Sequence, residues 1–561
     1  MELERISRRA LLQGGLALGV GLALPGRVVQ AIAPALITTR PSLRPGGPPR
    51  IGPYRVLAGS LHDHTTDSDG DTASERVATF LHDHRDDLGL DYCSLTDHSD
   101  FFPNAYQRAT DAAQAGSAAA VPVPDLWHRQ GALADQYRSE EFSLLRGFEW
   151  TNDQENHLNV LLSQNWTSRG ITGDAWLQMD PFWTWLAATP QTDPTGTGLG
   201  FGGADGIGMF NHPGDKGALN WDDYGYNARA AQRMALIEIH GSYGRDGRLD
   251  SDAGWYWFAL SRGWHVSPVM DWDWHNWARD GVIANPTPGA SYDEGHTFLP
   301  GQRSLVLAVN ALPGSIKEAL AARRTTATEI PDLWATLRGP GGEWQGSVIE
   351  ADPGETLRLR IDAGSPTEPL IGVQIIGDNG LDGRSHYYGD NPDWSADHAQ
   401  LTVSYFEQHR RYLMNGGATL KRLDGGRRFD GPPPGTVVAS APLQGKHDQA
   451  TIDVKVPTTP SPRPDGRHFF YAIVYAGKPN FPARAWTGPL LTTPGSGDEE
   501  DGARDGRGGG SDGGGSVDSG GRDSQAPRER GSNHSIRTAV APTTFAPLAA
   551  AAPRAGCGCR A

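Results

Sequence analysis

Histidines and acids gather at the ends of short apolar runs in the first half of this chain. Leu61 is followed by His62-Asp63-His64, and five residues on stands Asp69, in Ser68-Asp69-Gly70. Further along come Thr96-Asp97-His98, Gly147-Phe148-Glu149, His157, Asn211-His212-Pro213 and Asp273-Trp274-His275. Imidazole nitrogens and carboxylate oxygens are the usual ligands of zinc, manganese and iron. A single histidine in an apolar run is ordinarily a hydrogen-bonded core residue, and Asp69 or Asp97 alone reads as a turn residue. The whole set, each member at the end of a separate run, would be a costly concentration of polar groups without cations to relieve it. Bound divalent ions lower the pKa of water and polarise phosphoryl or carbonyl oxygens, so the chemistry indicated is hydrolysis.

The elements that position these residues follow from the spacing. In an extended strand, residues two apart share a face. His62 with His64, and Asp273 with His275, can therefore each turn two side chains toward one cavity. His82-Asp83-His84 has the same spacing. It follows a helix-like segment that begins at Ser74, which is expected as the N-cap. Helical residues two apart diverge by about 200°, so His82 and His84 are expected to face solvent. Apolar runs at 56–61, 90–95, 142–148, 157–162, 207–210, 234–239 and 265–270 are expected strands. They alternate with helix-like stretches, among them a Trp-rich one at 175–188 and another at 253–260. This alternation indicates an α/β fold with a parallel sheet or barrel. Seven runs favour a barrel, and α/β barrels build their sites at C-terminal strand ends. After about residue 305 the texture changes. A helix-like stretch at 316–324 precedes period-two alternation at 356–361 and 450–456, and 469–475 is a long apolar run. That pattern indicates a β-sandwich of antiparallel strands.

Taken in order, these motifs resemble the polymerase and histidinol phosphatase (PHP) family of metal-dependent phosphoesterases, over roughly residues 54–330. The resemblance implies a distorted seven-stranded (β/α) barrel and a trinuclear site with two to three divalent ions, Zn, Mn or Fe. It places His62, His64, Glu149 and Asp273 on one ion. Glu149 bridges to a second, shared with His157 and His212, and Asp69, His98 and His275 hold the third. In mechanism it implies a metal-activated hydroxide attacking phosphorus in a small-molecule ester. Asp271 is a rival to Asp273 as ligand. Asp97 and Glu238 are expected to orient ligating imidazoles, and Lys216 is a candidate source of positive charge. Trp272, Trp274 and Trp277 are expected to make an aromatic pocket for the organic part of the ester. The same metals could serve an amide, carbamate or carboxylic ester, and a binding protein acting through the β-sandwich is the non-catalytic alternative.

The rest of the chain bounds the setting. Ser7-Arg8-Arg9-Ala10-Leu11-Leu12 and the Gly-interrupted apolar stretch to Leu24 form a twin-arginine pattern. Residues 1–31 are therefore expected to be a signal peptide read by the twin-arginine export machinery, with the mature protein periplasmic or extracellular. No membrane span is expected beyond that segment. A Pro-rich linker at 32–53 leads to the catalytic region at 54–330, the strand-rich region at 331–494 and a tail at 495–561. The tail is Gly, Asp, Ser and Arg with few apolar residues, and is expected to be disordered. A net charge of −16 over 561 residues argues against a non-specific nucleic-acid binder. Of the three cysteines, Cys93 is expected to be buried, while Cys557 and Cys559 stand apart at the C-terminus.

Overall fold

The computed structural model describes residues 49–102, 123–152, 155–168, 179–192, 199–213, 220–239, 249–278, 282–283, 301–378, 436–478 and 481–493. The expected signal segment, most of the expected linker, Lys216, the tail and both C-terminal cysteines lie outside the described residues.

Each of the seven apolar runs contains a strand. After a short β1 (Arg50–Ile51) these are β2 (Tyr54–Ser60), β3 (Tyr92–Leu95), β4 (Ser143–Trp150), β5 (Leu158–Leu161), β6 (Ile207–Phe210), β7 (Met234–Glu238) and β8 (Ser267–Val269). They lie side by side in chain order. Neighbours are parallel except at β5, which is antiparallel to both β4 and β6. Strands β3, β5, β6 and β7 are buried along their whole length. Covering both faces is why they read as unbroken apolar runs and not as alternation. Just past the strand ends the two extremes of the row meet, where Asp63 bridges in parallel to Trp274 and the His64 N–H donates to the Trp274 carbonyl at 2.9 Å.

Helices fall where the pattern indicated, with shifted ends. The first, Ser74–Asp83, has Ala73 at its N-cap and no side-chain cap bond, so Ser74 is its first helical residue and not the cap. His82 lies in its last turn and His84 is its C-cap. The Trp-rich helix is Asp180–Ala187, and the later ones are Leu249–Ser261 and Pro313–Ala321. No helix among the described residues is long and apolar enough to cross a membrane.

The sheet continues through the expected boundary at residue 330. On the far side of β2 it adds β9 (Arg303–Ala308) and β10 (Thr325–Thr328), both antiparallel. The strands that follow are β11 (Trp334–Arg338), β12 (Val348–Glu350), β13 (Thr356–Gly364), β14 (Leu370–Gly377), β15 (Thr436–Pro442), β16 (His447–Lys455), β17 (His468–Lys478), β18 (Phe481–Thr487) and β19 (Leu490–Thr493). β18 pairs with β10, which joins the strand-rich region to the N-terminal sheet through main-chain hydrogen bonds. β11, β13 and β16 form a separate three-stranded sheet. Its inward residues, such as Leu357, Leu359 and Val454, share a core with Val373, Ile375 and Val474 of β14 and β17.

The helix Leu249–Ser261 is held from the strand-rich side. Tyr256 donates to the Thr487 carbonyl at 3.2 Å and Trp257 to that of Gly377 at 3.1 Å. The buried Arg463 guanidinium donates to the carbonyls of Leu260 and Gly263 at the helix end. Phe469, Tyr471 and Trp486 belong to the same hydrophobic cluster as Trp255, Trp257 and Trp264. Burying one such side chain contributes about 1.5–3 kcal/mol, and whole domains have only about 5–15 kcal/mol to lose. A chain ended after residue 330 is therefore expected to be recovered unfolded or aggregated. A monomer with native circular dichroism and a cooperative melt would show that the N-terminal region stands alone.

Candidate metal centre

The cluster is built where the two ends of the strand row meet. His62 and His64 extend β2 beyond Ser60, and Glu149 lies near the end of β4. His98 follows β3 and forms a parallel bridge with Glu149. His157 directly precedes β5 and His212 lies two residues past β6. Two of the residues have backbones in the left-handed region, His212 at φ 29° and Asp273 at φ 45°. Such conformations are uncommon outside glycine and concentrate at functional sites.

All nine expected ligands come together. They form four overlapping sets, namely His62–His64–Glu149, His62–His212–Asp273, His98–Glu149–His157 and His64–Asp69–His98–His275. In the tightest region, His62 Nε2 is 3.2 Å from His64 Nε2, 3.2 Å from Glu149 Oε1 and 3.3 Å from Asp273 Oδ1. His64 Nε2 is 3.0 Å from Asp273 Oδ1 and 3.5 Å from Glu149 Oε2. A tetrahedral ion with bonds of about 2.0–2.1 Å keeps its ligand atoms about 3.3 Å apart. The donor set and spacing therefore fit a divalent ion. Glu149 Oε1 also meets His157 Nδ1 at 3.0 Å and His212 Nε2 at 3.4 Å. Toward solvent, Asp69 lies 3.3 Å from His275 Nε2 and 3.5 Å from His98 Nε2.

The surrounding groups have roles the motifs only partly indicated. Glu238 accepts from the His212 N–H at 2.6 Å and lies 3.5 Å from His62 Nδ1, in keeping with an orienting role. Asp97 has a different one. Its carboxylate accepts from Thr65 N–H at 2.7 Å, Thr65 Oγ1 at 2.8 Å, Ser68 Oγ at 2.7 Å and Gln130 Nε2 at 3.0 Å. It thus holds the loop that carries Asp69. Asp271 accepts from the Leu61 N–H at 2.6 Å and Ser304 Oγ at 2.9 Å, so Asp273 and not Asp271 is the residue that faces the imidazoles. Asn211 was passed over although it adjoins His212. It donates to Glu149 Oε1 at 2.8 Å and to Asn159 at 2.9 Å. Gln130 and Arg129, which pairs with Asp67, carried no signal in the sequence.

The expected aromatic pocket is not formed by Trp272 and Trp277. Both are buried, because their indole N–H groups reach the carbonyls of Gln302 at 3.1 Å and His64 at 3.0 Å. Trp274 is half-buried. His82 is 41% exposed and His84 pairs with Asp87, and neither joins the cluster. Cys93 is buried as a free thiol.

Charge is sharply divided in the ion-free cluster. Burial, reinforced by the His275 and His98 rings, lowers His64 to about 3. Burial opposes charge on His98, but Glu149 and Asp69 outweigh it and raise the ring to about 10. His62 is likewise raised, with burial overcome by Asp273, Glu149 and Glu238. Burial also opposes charge on Glu149, yet His98, His157 and His62 hold its carboxyl well below the usual range. Burial and the nearby Asp67 lift Asp97 to about 7.

A scan against protein-family models and a search of curated proteins found no match. Among solved structures, the chain is similar to a two-domain protein from Bacteroides vulgatus described as containing a predicted PHP-like metal-dependent phosphoesterase. The two are 14% identical, with a TM-score of 0.32 over 58% of this chain and 80% of that one.

Two outcomes are expected of this geometry. A ligating imidazole must be neutral, and His62 and His98 hold protons near neutrality in the ion-free protein. Metal binding at pH 7 should therefore release protons, and affinity should rise with pH until His98 titrates at about 10. Calorimetric titration in buffers of different ionisation enthalpy measures the release; heats independent of buffer would contradict it. Separately, His64→Ala should weaken metal retention by on the order of 100-fold, while the His82→Ala, His84→Ala double variant should retain metal like the parent. Equal loss in both, by elemental analysis, would show that the spacing does not select the ligands.

Proposed function

We propose that this chain is an exported, metal-dependent hydrolase of the PHP type that cleaves phosphoester bonds in small organic molecules. The observation that carries the reading is the convergence of nine His, Asp and Glu side chains in four overlapping metal-capable sets, with His62 Nε2 within 3.3 Å of His64, Glu149 and Asp273. These four would hold one ion, His157 and His212 with Glu149 a second, and Asp69, His98 and His275 a third. Divalent ions there would supply Lewis-acid activation of water and would offset the charge of a phosphoryl group, which has more oxygens to stabilise than a carbonyl.

The remaining work falls to the polypeptide. Glu149 faces imidazoles through both oxygens, and Asn211 fixes its Oε1 by a hydrogen bond. Glu238 steadies both the His212 backbone and the His62 ring. Asp97 holds the Asp69 loop through its bonds to Thr65 and Ser68. Trp277, by donating to the His64 carbonyl, ties the segment after β8 to the segment after β2.

The test is a paired comparison of an aryl phosphate with the isosteric aryl acetate at equal metal occupancy. Phosphate ester turnover should be lost to chelator and restored by manganese or zinc. Turnover of the acetate alone would replace the phosphoesterase reading with a carboxylesterase on the same centre.

A further inference from the structure

The cluster has two unequal halves. His62, His64, Glu149, His157, His212 and Asp273 are at most 4% exposed. On the other side, the Asp69 side chain is 39% exposed and that of His275 22%. The inner half has two carboxylates, Glu149 and Asp273, whereas the outer position has only Asp69. The inner ligands stand on or beside strands, while Asp69 rides on the loop latched to Asp97. Ligand exchange at a metal requires incoming water or chelator, and among the described residues the ligands most open to solvent are Asp69 and His275.

Resting on the metal-hydrolase reading above, we propose that the Asp69–His98–His275 position holds an exchangeable ion, retained far less firmly than the inner ions. This ion is also the one a phosphorylated substrate meets first. An anion approaching the open side meets exposed Asp69 and exposed Asp71, whose N–H bonds the His275 carbonyl at 2.8 Å. Both repel it. Arg129, the cation of this loop network, is engaged by Asp67 and Glu75. A divalent ion on Asp69 would occupy that carboxylate and offer a phosphate oxygen an open ligand position at the exposed side. The outer position thereby makes anion binding depend on free metal, while the inner ions stay in place.

The experiment uses the full chain loaded with zinc and then mixed with a weak chelator, with metal release followed in time and retained metal measured by mass spectrometry. Release should have two phases, the fast one carrying about one equivalent and running at least about tenfold faster than the slow one. Asp69→Asn should abolish the fast phase and leave the slow phase unchanged in amplitude and rate. Inorganic phosphate should bind the loaded parent about tenfold or more tighter than the loaded variant. Asp69 pairs with His98 and His275, so the fold is checked on the loaded variant: full retention of the slow-phase zinc with native circular dichroism separates loss of a ligand from loss of fold. A single release phase, or loss of the inner ions in Asp69→Asn, would overturn the division while the metal reading stood. A parent that binds no zinc would remove the metal reading itself, and this proposal with it.

Discussion

One buried carboxylate organises the centre. Glu149 is fully buried, yet it is surrounded by the rings of His62, His64, His98, His157 and His212, all within 3.5 Å of one of its oxygens. Burying an ionised carboxylate costs several kcal/mol, roughly, unless it is closely paired. In the ion-free chain, protonated imidazoles do the pairing, which is why burial depresses His64 while His62 and His98 are raised. The rest of the strand row serves to bring side chains from β2, β3, β4, β5 and β6 to this one point.

Three further acids support the cluster from behind. Asp97, Glu238 and Asp271 are all buried acids, and each spends its oxygens mainly on backbone N–H groups or hydroxyls at the ends of strands. They fix where the ligands start. A cluster assembled from six separate segments needs such anchors, because an error of about an ångström in any segment would take its atoms out of reach of a shared ion.

Much of this was legible in the residues. The strands announced themselves as apolar runs, and the ligands as histidines and acids at run ends, because strand geometry places residues two apart on one face. The contrast between His62-Asp63-His64 and His82-Asp83-His84 was readable for the same reason. Asp97 was read as an orienter of imidazoles, and its true partners, Thr65, Ser68 and Gln130, come from a loop and a distant helix that no local spacing reveals. Trp272 and Trp277 looked like pocket residues because they flank ligands. Their burial depends on finding carbonyl partners at Gln302 and His64, which lie 30 and 213 residues away in sequence. The join between β10 and β18 was equally invisible, since pairing partners across a long separation leave no mark in either strand.

That join sets an order of events during synthesis. Asp273 and His275 follow a helix, Leu249–Ser261, whose outer face is clamped by Thr487, Arg463 and Tyr471, residues close to the end of the described chain. A nascent polypeptide that has delivered every metal ligand still lacks the strands that complete the helix's surroundings. The surroundings of that helix, which precedes Asp273 and His275, are complete only once the strands carrying Tyr471 and Thr487 have been made.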